Sequence, residues 1–333
     1  MAAGAEAPAI DAPDRATDFP ARHELNETDT VNRLPTPVRA LETDDPAELL
    51  RFALASFGRG PVAIATLTGI RGGAARALGA HVVIAADGGH AGFVSGGCVE
   101  AAVATEAMLA MAEGRDRTVA YGEGSPFFDI VLPCGGGITV AIHVLRDVEA
   151  IDCVLRCLEA RRPAALRYSP QTQALTCAPV PERAGWDGTG FLSVYRPVTR
   201  LMISGRSIEA QALARLAACA GYDILVLDPA RAIHAIEGMA DAHTAIAVLH
   251  HDPDAELPVL LKALQSPGFY IGAMGSMKAH RARVERLRDQ GIAEADIARI
   301  KAPIGMFGPT RDASSLAISV LADVAAARLT RFA

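Results

Sequence analysis

The residues best suited to chemistry are two cysteines, each set among glycines. Cys98 follows Ser95-Gly96-Gly97 and opens the alanine-rich stretch CVEAAVATEAM, with Glu100 two residues on. Cys134 precedes Gly135-Gly136-Gly137 in VLPCGGGITV. Adjacent glycines remove side-chain bulk and let a ligand reach the sulfur. The pattern predicts a helix from about Cys98 to Met111. A thiol at that helix start meets the macrodipole and free N–H groups, which favour a thiolate. Such a thiolate can ligate a soft metal, carry a persulfide or act as a nucleophile. Ser or Asp there would cap the helix without offering a polarisable sulfur. The plain alternative for either cysteine is a small buried residue. No His stands within a few residues of Cys98, so a local Cys–His pair is not indicated.

A second constellation lies beyond residue 200. The stretch SGRSIEA, 204–210, follows an apolar strand pattern and opens a helix. Laid on the dinucleotide fingerprint G-x-G-x-x-G/A, it supplies Gly205, Ser207 and Ala210. The second position should be glycine, so that the backbone can approach a pyrophosphate. The Ser207 side chain crowds that approach. Asp228 ends the next strand 23 residues after Gly205, where an acid takes ribose hydroxyls; it also reads as a solvated strand end before a Pro turn. Two more loops fall at strand C-termini. His251 and Asp252 sit in His250-His251-Asp252-Pro253, suited to proton transfer, to ribose and phosphate, or simply to capping a helix with Pro at its first position. Gly272, Gly275 and Ser276 sit in a strand-to-helix turn that offers N–H groups to an anion.

The elements that must position these residues divide the chain. Residues 1–40 read as a disordered tail. Residues 41–197 read as an α/β domain with a mixed sheet, entered by the helix PAELLRFALASF and turned at Asp87-Gly88. After residue 198, strands alternate with helices to the end of the chain, which predicts βαβ units on a parallel, Rossmann-like sheet. The expected fold class is thus α/β, in two domains.

Composition narrows the function. The chain has 333 residues, half of them hydrophobic, and a net charge of −6. That balance, with no long basic run, argues against nucleic-acid binding. Neither a secretory signal nor an apolar run of membrane length is visible. The six cysteines lack framework spacing and form no C-x-x-C pair, so a cytosolic protein with reduced thiols is expected. Cys153 and Cys157 read as two small apolar residues on one helical face.

The combination of SGGCVEAAV, CGGGI, His251-Asp252-Pro253, YIGAMGS at 270–276 and APIGMFGPTRDASSLAISVLADV resembles the XdhC/CoxI family, over about residues 46–330. Its members are accessory proteins of xanthine dehydrogenase and related molybdenum hydroxylases. The resemblance implies a chaperone that binds the molybdenum cofactor, a molybdopterin, and protects it while a cysteine desulfurase supports installation of the terminal sulfur. The cofactor then passes to the apo-dehydrogenase. It also implies a cytoplasmic homodimer. Carried onto this chain, Ser95, Gly96, Gly97, Cys98 and Glu100 form the first cysteine motif, with Cys98 as a molybdenum ligand or sulfur relay. Cys134, Gly135 and Gly136 form the second. Arg76 and Gly79 match the family's Pro-Arg-x-x-Gly, where a basic group can meet a pterin phosphate. Ala75 replaces the usual Pro there, Ser207 replaces the second fingerprint glycine, and His250 replaces Thr. Intact cysteine motifs beside a drifted nucleotide turn favour cysteine-centred function. The alternative is an NAD(P)-dependent oxidoreductase built on the second domain.

Overall fold

The computed structural model describes residues 34–122 and 135–332. Cys134 lies outside the described residues. The first half is built on a six-stranded mixed sheet. Its strands are β1 (Val38–Leu41), β2 (Val62–Arg71), β3 (His81–Ala85), β4 (Gly89–Gly92), β5 (Arg117–Gly122) and β6 (Gly137–Val144). Their spatial order is β1-β4-β3-β2-β6-β5; β1 and β4 run parallel and the other neighbours antiparallel. Strand β1 begins at Val38, inside the segment expected to be a tail. Among the described residues three helices cover the sheet: α1 (Pro46–Phe57), α2 (Glu100–Glu113) and α3 (Glu149–Glu159). Asp45 starts α1 by accepting the N–H groups of Ala47 and Glu48 at 2.7 and 3.1 Å.

Strand alternation decides which helix goes where. On β2, Ala63, Ala65 and Leu67 face α2, through Val103, Ala107 and Met108. Val62 and Ile64 face α1 and α3, through Leu49, Leu50, Ile151 and Val154. Each such aliphatic side chain fully removed from water contributes about 1.5–3 kcal/mol. A second, antiparallel sheet follows: β7 (Ala164–Ser169), β8 (Ala174–Ala178), β9 (Gly185–Trp186) and β10 (Phe191–Tyr195), in the order β8-β7-β10-β9.

Register matters most for the site. The pairs Val82–Gly92, Arg71–Gly137 and Gly122–Gly137 put the ends of β2, β4 and β5 and the starts of β3 and β6 at one end of the sheet. Parallel pairing with β4 brings the end of β1 there too. The Cys98 loop and the described Gly135-Gly136 therefore lie at the same end of the sheet.

Buried His81 ties the two sheets together. Its Nδ1 is hydrogen-bonded to the Thr66 hydroxyl at 3.0 Å and its Nε2 to the Tyr195 hydroxyl at 2.6 Å. Burial pushes the imidazole down from 6.5 to about 4. Between these values the unfolded chain takes a proton that the folded chain refuses. Stability should therefore fall as pH drops from about 6.5 towards 4, by up to about 3 kcal/mol from this group. Urea unfolding at pH 7 and pH 4.5 should show a smaller pH effect in His81→Gln than in the parent chain. An equal effect in the two proteins would remove His81 as the cause.

The second half carries β11 (Arg200–Ser204), β12 (Asp223–Leu227), β13 (Thr244–Val248), β14 (Tyr270–Ala273) and β15 (Ile300–Lys301). All are parallel, in the order β12-β11-β13-β14-β15. The helices are α4 (Ile208–Cys219), α5 (Pro229–Met239), α6 (Pro253–Gln265), α7 (Met277–Asp289), the short α8 (Glu294–Ile297) and α9 (Ala313–Phe332). Leu201, Ile203 and Ala245 pack under α4 and α9, and Met202, Ile246 and Ile271 under α5 and α6. Helix α9 is long and apolar enough to cross a membrane by length and composition. Here Ala317, Val320 and Val324 of α9 are core residues.

The first half attaches at the N-terminal ends of the parallel strands. Arg161, just past α3, donates to Asp241 at 2.6 Å and to Asp223 at 3.4 Å. The Arg196 guanidinium lies 5.4 Å from the centre of the Phe332 ring. Among the described residues, the opposite end, where the strands terminate, is left open.

Candidate functional site

The Cys98 loop is held from beneath by Glu100, whose side chain is almost fully buried. Its Oε1 accepts the N–H of Val94 at 3.1 Å, the N–H of Ser95 at 2.8 Å and the Ser95 hydroxyl at 3.0 Å. Its Oε2 accepts the N–H of Val99 at 3.2 Å. Ser95 Oγ in turn accepts the Cys98 N–H at 3.1 Å. The sequence predicts a helix from Cys98; α2 instead starts at Glu100, with Val99 in the cap position and no side-chain cap. The reason is this carboxylate, which reaches back and ties the loop. Cys98 thus stands two residues ahead of the helix, and its thiol is exposed.

Around the thiol lie groups that the motifs alone do not reveal. Arg76 donates to the Ser95 carbonyl at 3.4 Å and pairs with Asp44 at 2.8 Å. Arg76 and Arg39 both lie on the Phe93 ring, 5.1 and 4.7 Å from its centre. Arg39 also approaches Gly97, within 4.0 Å of where a Cβ would stand. Two guanidinium groups on the loop that carries an exposed thiol suit an anionic, sulfur-bearing ligand. Arg39 was not predicted, because it lies in the presumed tail. Only the parallel pairing of β1 with β4 brings it here.

The two glycine loops are neighbours. Gly96 lies against Ala75, and Gly136 lies against the 71–73 backbone. A Cβ at Gly136 would come within 2.4 Å of the Gly73 carbonyl oxygen, so only glycine fits. The 71–76 segment therefore bridges both predicted loops. Exposed Gly135 follows Cys134 at the same sheet end. Gly79 is different: it packs against Ala184 and Ser193, and so supports the fold.

In the second half six of the eight predicted nucleotide residues have a structural occupation, and His251 and Gly275 border a cleft. Gly205 allows close packing, since a Cβ would come within 2.6 Å of the Leu249 carbonyl oxygen. Ser207 caps α4, its hydroxyl accepting the Ala210 N–H at 3.3 Å. Asp228 caps α5, accepting the Arg231 N–H at 3.0 Å, and pairs with Arg206 at 2.9 Å. The Arg231 N–H first, and then the Arg206 and Arg231 guanidinium groups, hold its carboxyl below the usual range. The expected ribose acid is thus already engaged by a residue of the nucleotide turn itself. Asp252 caps α6 through the Asp254 N–H at 2.9 Å, and Gly272 packs on Ile304. Ser276 caps α7 through the Ala279 N–H at 3.3 Å.

A cleft of about 840 Å³ opens at the C-terminal ends of β13, β14 and β15. His251, Gly275, Ser276, Lys301, Phe307 and Arg311 line it. A smaller cavity of about 290 Å³ adjoins it, bordered by His250, His251, Met274 and Arg283. His250 is hydrogen-bonded to Ser204 at 2.8 Å, and burial lowers its pKa. Ser319 of α9 holds the cleft rim, donating to the Phe307 carbonyl at 2.6 Å and accepting the Phe307 N–H at 2.9 Å. Phe307 and Arg311 belong to the stretch APIGMFGPTRDASSLAISVLADV, which carries the resemblance without marking them as site residues, and Lys301 lies just ahead of it. Neither cavity is lined by any residue of the Cys98 loop. The structure thus presents two separate surfaces, one centred on sulfur and one at the parallel strand ends.

Comparison with known proteins places this architecture. A model described as the XdhC and CoxI family matches residues 58–122, and one described as the XdhC Rossmann domain matches residues 201–324. The chain is 51% identical over 297 residues to the molybdenum cofactor insertion chaperone PaoD of Escherichia coli K12, covering 88% of this chain and 92% of that one. It is 25% identical over 287 residues to the uncharacterized protein YqeB of the same strain, covering 79% of this chain and 43% of that one. The crystal structure of a xanthine dehydrogenase from Bacillus halodurans superposes with a TM-score of 0.68 at 20% identity. That match covers 86% of this chain and 96% of the other, and it shows a shared fold. With the cysteine motif, the mixed sheet and the parallel domain all in place, the chain belongs to the XdhC and CoxI family.

Proposed function

We propose that this chain is a molybdenum cofactor accessory protein, which binds the cofactor and passes it to an apo-molybdenum hydroxylase of the xanthine dehydrogenase class. The observation that carries the reading is the exposed Cys98 thiol on a loop braced by buried Glu100 and flanked by Arg39 and Arg76. An exposed thiol offers a soft donor or sulfur carrier, and guanidinium groups bind phosphate. The 51% identity to PaoD, a molybdenum cofactor insertion chaperone, supports it. In this reading Cys98 is the principal sulfur group, with Cys134 as its second. The cofactor is sheltered while its terminal sulfur is installed with a cysteine desulfurase, and the protein acts in the cytoplasm as a homodimer. The oxidoreductase alternative draws less support, because Asp228 and Ser207 are occupied within the nucleotide turn.

The test is cofactor uptake. Purified chain is incubated with cofactor released from a molybdoenzyme, gel-filtered, and assayed for protein-bound pterin and molybdenum. Uptake should fall at least tenfold in Cys98→Ala, which corresponds to about 1.4 kcal/mol of binding. Equal uptake by the variant would refute the role of Cys98. Saturable NADH binding with turnover would favour the oxidoreductase.

A further inference from the structure

Three of the four cysteines outside the glycine loops converge in space; Cys219 ends α4 in the other half. Cys153 and Cys157 stand one turn apart on α3. Cys177 lies on β8, 24 residues beyond Cys153, and its Sγ sits 3.6 Å from the carbonyl oxygen of Ala150, also on α3. Residues 150, 153 and 157 share one face of an α-helix. The contact with Ala150 therefore sets the Cys177 sulfur beside the other two, and of these Cys153 acts on its thiol the more strongly. Cys177 is exposed, while Cys153 and Cys157 are half-buried. Small reagents thus have a route to the cluster. Burial pushes the Cys177 thiol up to about 12, assisted by Cys153 and Cys157. Cys177 therefore rests as a thiol, and its reaction should quicken as pH rises.

We propose that Cys153 and Cys177 form a reversible intrachain disulfide by exchange with a small-molecule disulfide of the oxidised-glutathione class. The Cys153 thiolate attacks one sulfur of that disulfide. The S–S bond breaks, and one small thiolate leaves and takes up a proton. The Cys177 thiolate then attacks the Cys153 sulfur of the mixed disulfide. The Cys153–Cys177 bond forms and the second small thiol leaves. Two protein thiols lose two electrons and two protons; the small disulfide gains both and departs as two thiols. The new bond pins β8 to α3. The chain leaving α3 carries Arg161, which donates to Asp241 and Asp223 of the second half. The disulfide therefore stiffens the support of the contact between the halves. This inference does not depend on the cofactor reading.

The test uses the full chain, exposed to oxidised glutathione at pH 8.5, alkylated, digested and analysed by mass spectrometry. A peptide pair linked through Cys153 and Cys177 is expected, and dithiothreitol should abolish it. The linked chain should melt about 5 °C higher than the reduced chain. Cys153→Ser and Cys177→Ser should each lose the link and the shift, while Cys157→Ser should keep both. Glutathione adducts without the link, a link between any other pair or between two chains, or the same yield from urea-unfolded protein would overturn the proposal. The linked-peptide result on the unaltered chain decides the matter even if a serine variant fails to fold.

Discussion

Glu100→Ala is expected to lower stability by about 3–5 kcal/mol and to remove cofactor capture together with it. The carboxylate is buried and accepts three backbone N–H groups and one hydroxyl. Truncation leaves the N–H groups of Val94, Ser95 and Val99 without acceptors inside the protein. Each such orphan costs about 1–3 kcal/mol when water cannot reach it, and less where the vacated space admits water. The sum therefore falls short of three full penalties. Glu100→Gln should cost less, because its amide oxygen keeps one set of bonds while its NH2 opposes the Val99 N–H. Ser95→Ala should cost least, since it frees only the Cys98 N–H and one hydroxyl bond. Urea unfolding ranks the three variants. A Glu100→Ala loss below about 1 kcal/mol would show that the loop does not rest on this carboxylate.

Arg283→Met is expected to cost a further 3–5 kcal/mol or so, in the other half of the protein. Arg283 and Glu256 form an ion pair whose side chains are 5% and 9% exposed. The guanidinium engages both carboxylate oxygens and also donates to the Met274 carbonyl at 2.7 Å. Removing the cation strands a buried carboxylate, and that stranded charge is the main cost. A pair of apolar replacements, Arg283→Met with Glu256→Leu, should therefore recover much of the loss. Arg283→Lys should recover little, because one ammonium cannot span both oxygens and the carbonyl. Met274 precedes Gly275 and Ser276 at the cleft, so the arginine also fixes that rim. If the double variant is as unstable as the single one, a stranded charge is not the cause.

Legibility followed the range of the interactions. Helix α1 could be read at Asp45-Pro46, because a cap acts over three residues. The β3–β4 hairpin could be read at Asp87-Gly88, where Gly88 takes a left-handed φ of +83°. The parallel domain could be read from its alternating strands and helices. The start of α2 was misplaced by two residues, because the pattern does not say where a glutamate side chain will fold back. Ser207 and Asp228 keep the fingerprint spacing, yet they cap helices, and Asp228 binds Arg206. Spacing records position along the chain, whereas occupation depends on which neighbour reaches the group first.

The sequence by itself determined the α/β class, the parallel sheet of the second half and the family. These rest on short-range rules: caps, turns, alternation and a contiguous motif. Only the tertiary structure decided what surrounds the cysteines. Parallel pairing of β1 with β4 delivered Arg39 to Phe93 and Gly97 of the Cys98 loop, and the packing of α3 on β8 gathered Cys153 and Cys177. The attachment of the first half to the strand starts left the cleft open at the strand ends. Each of these depends on pairing between segments far apart in the chain, and no local period encodes which distant partner a strand or helix face will meet.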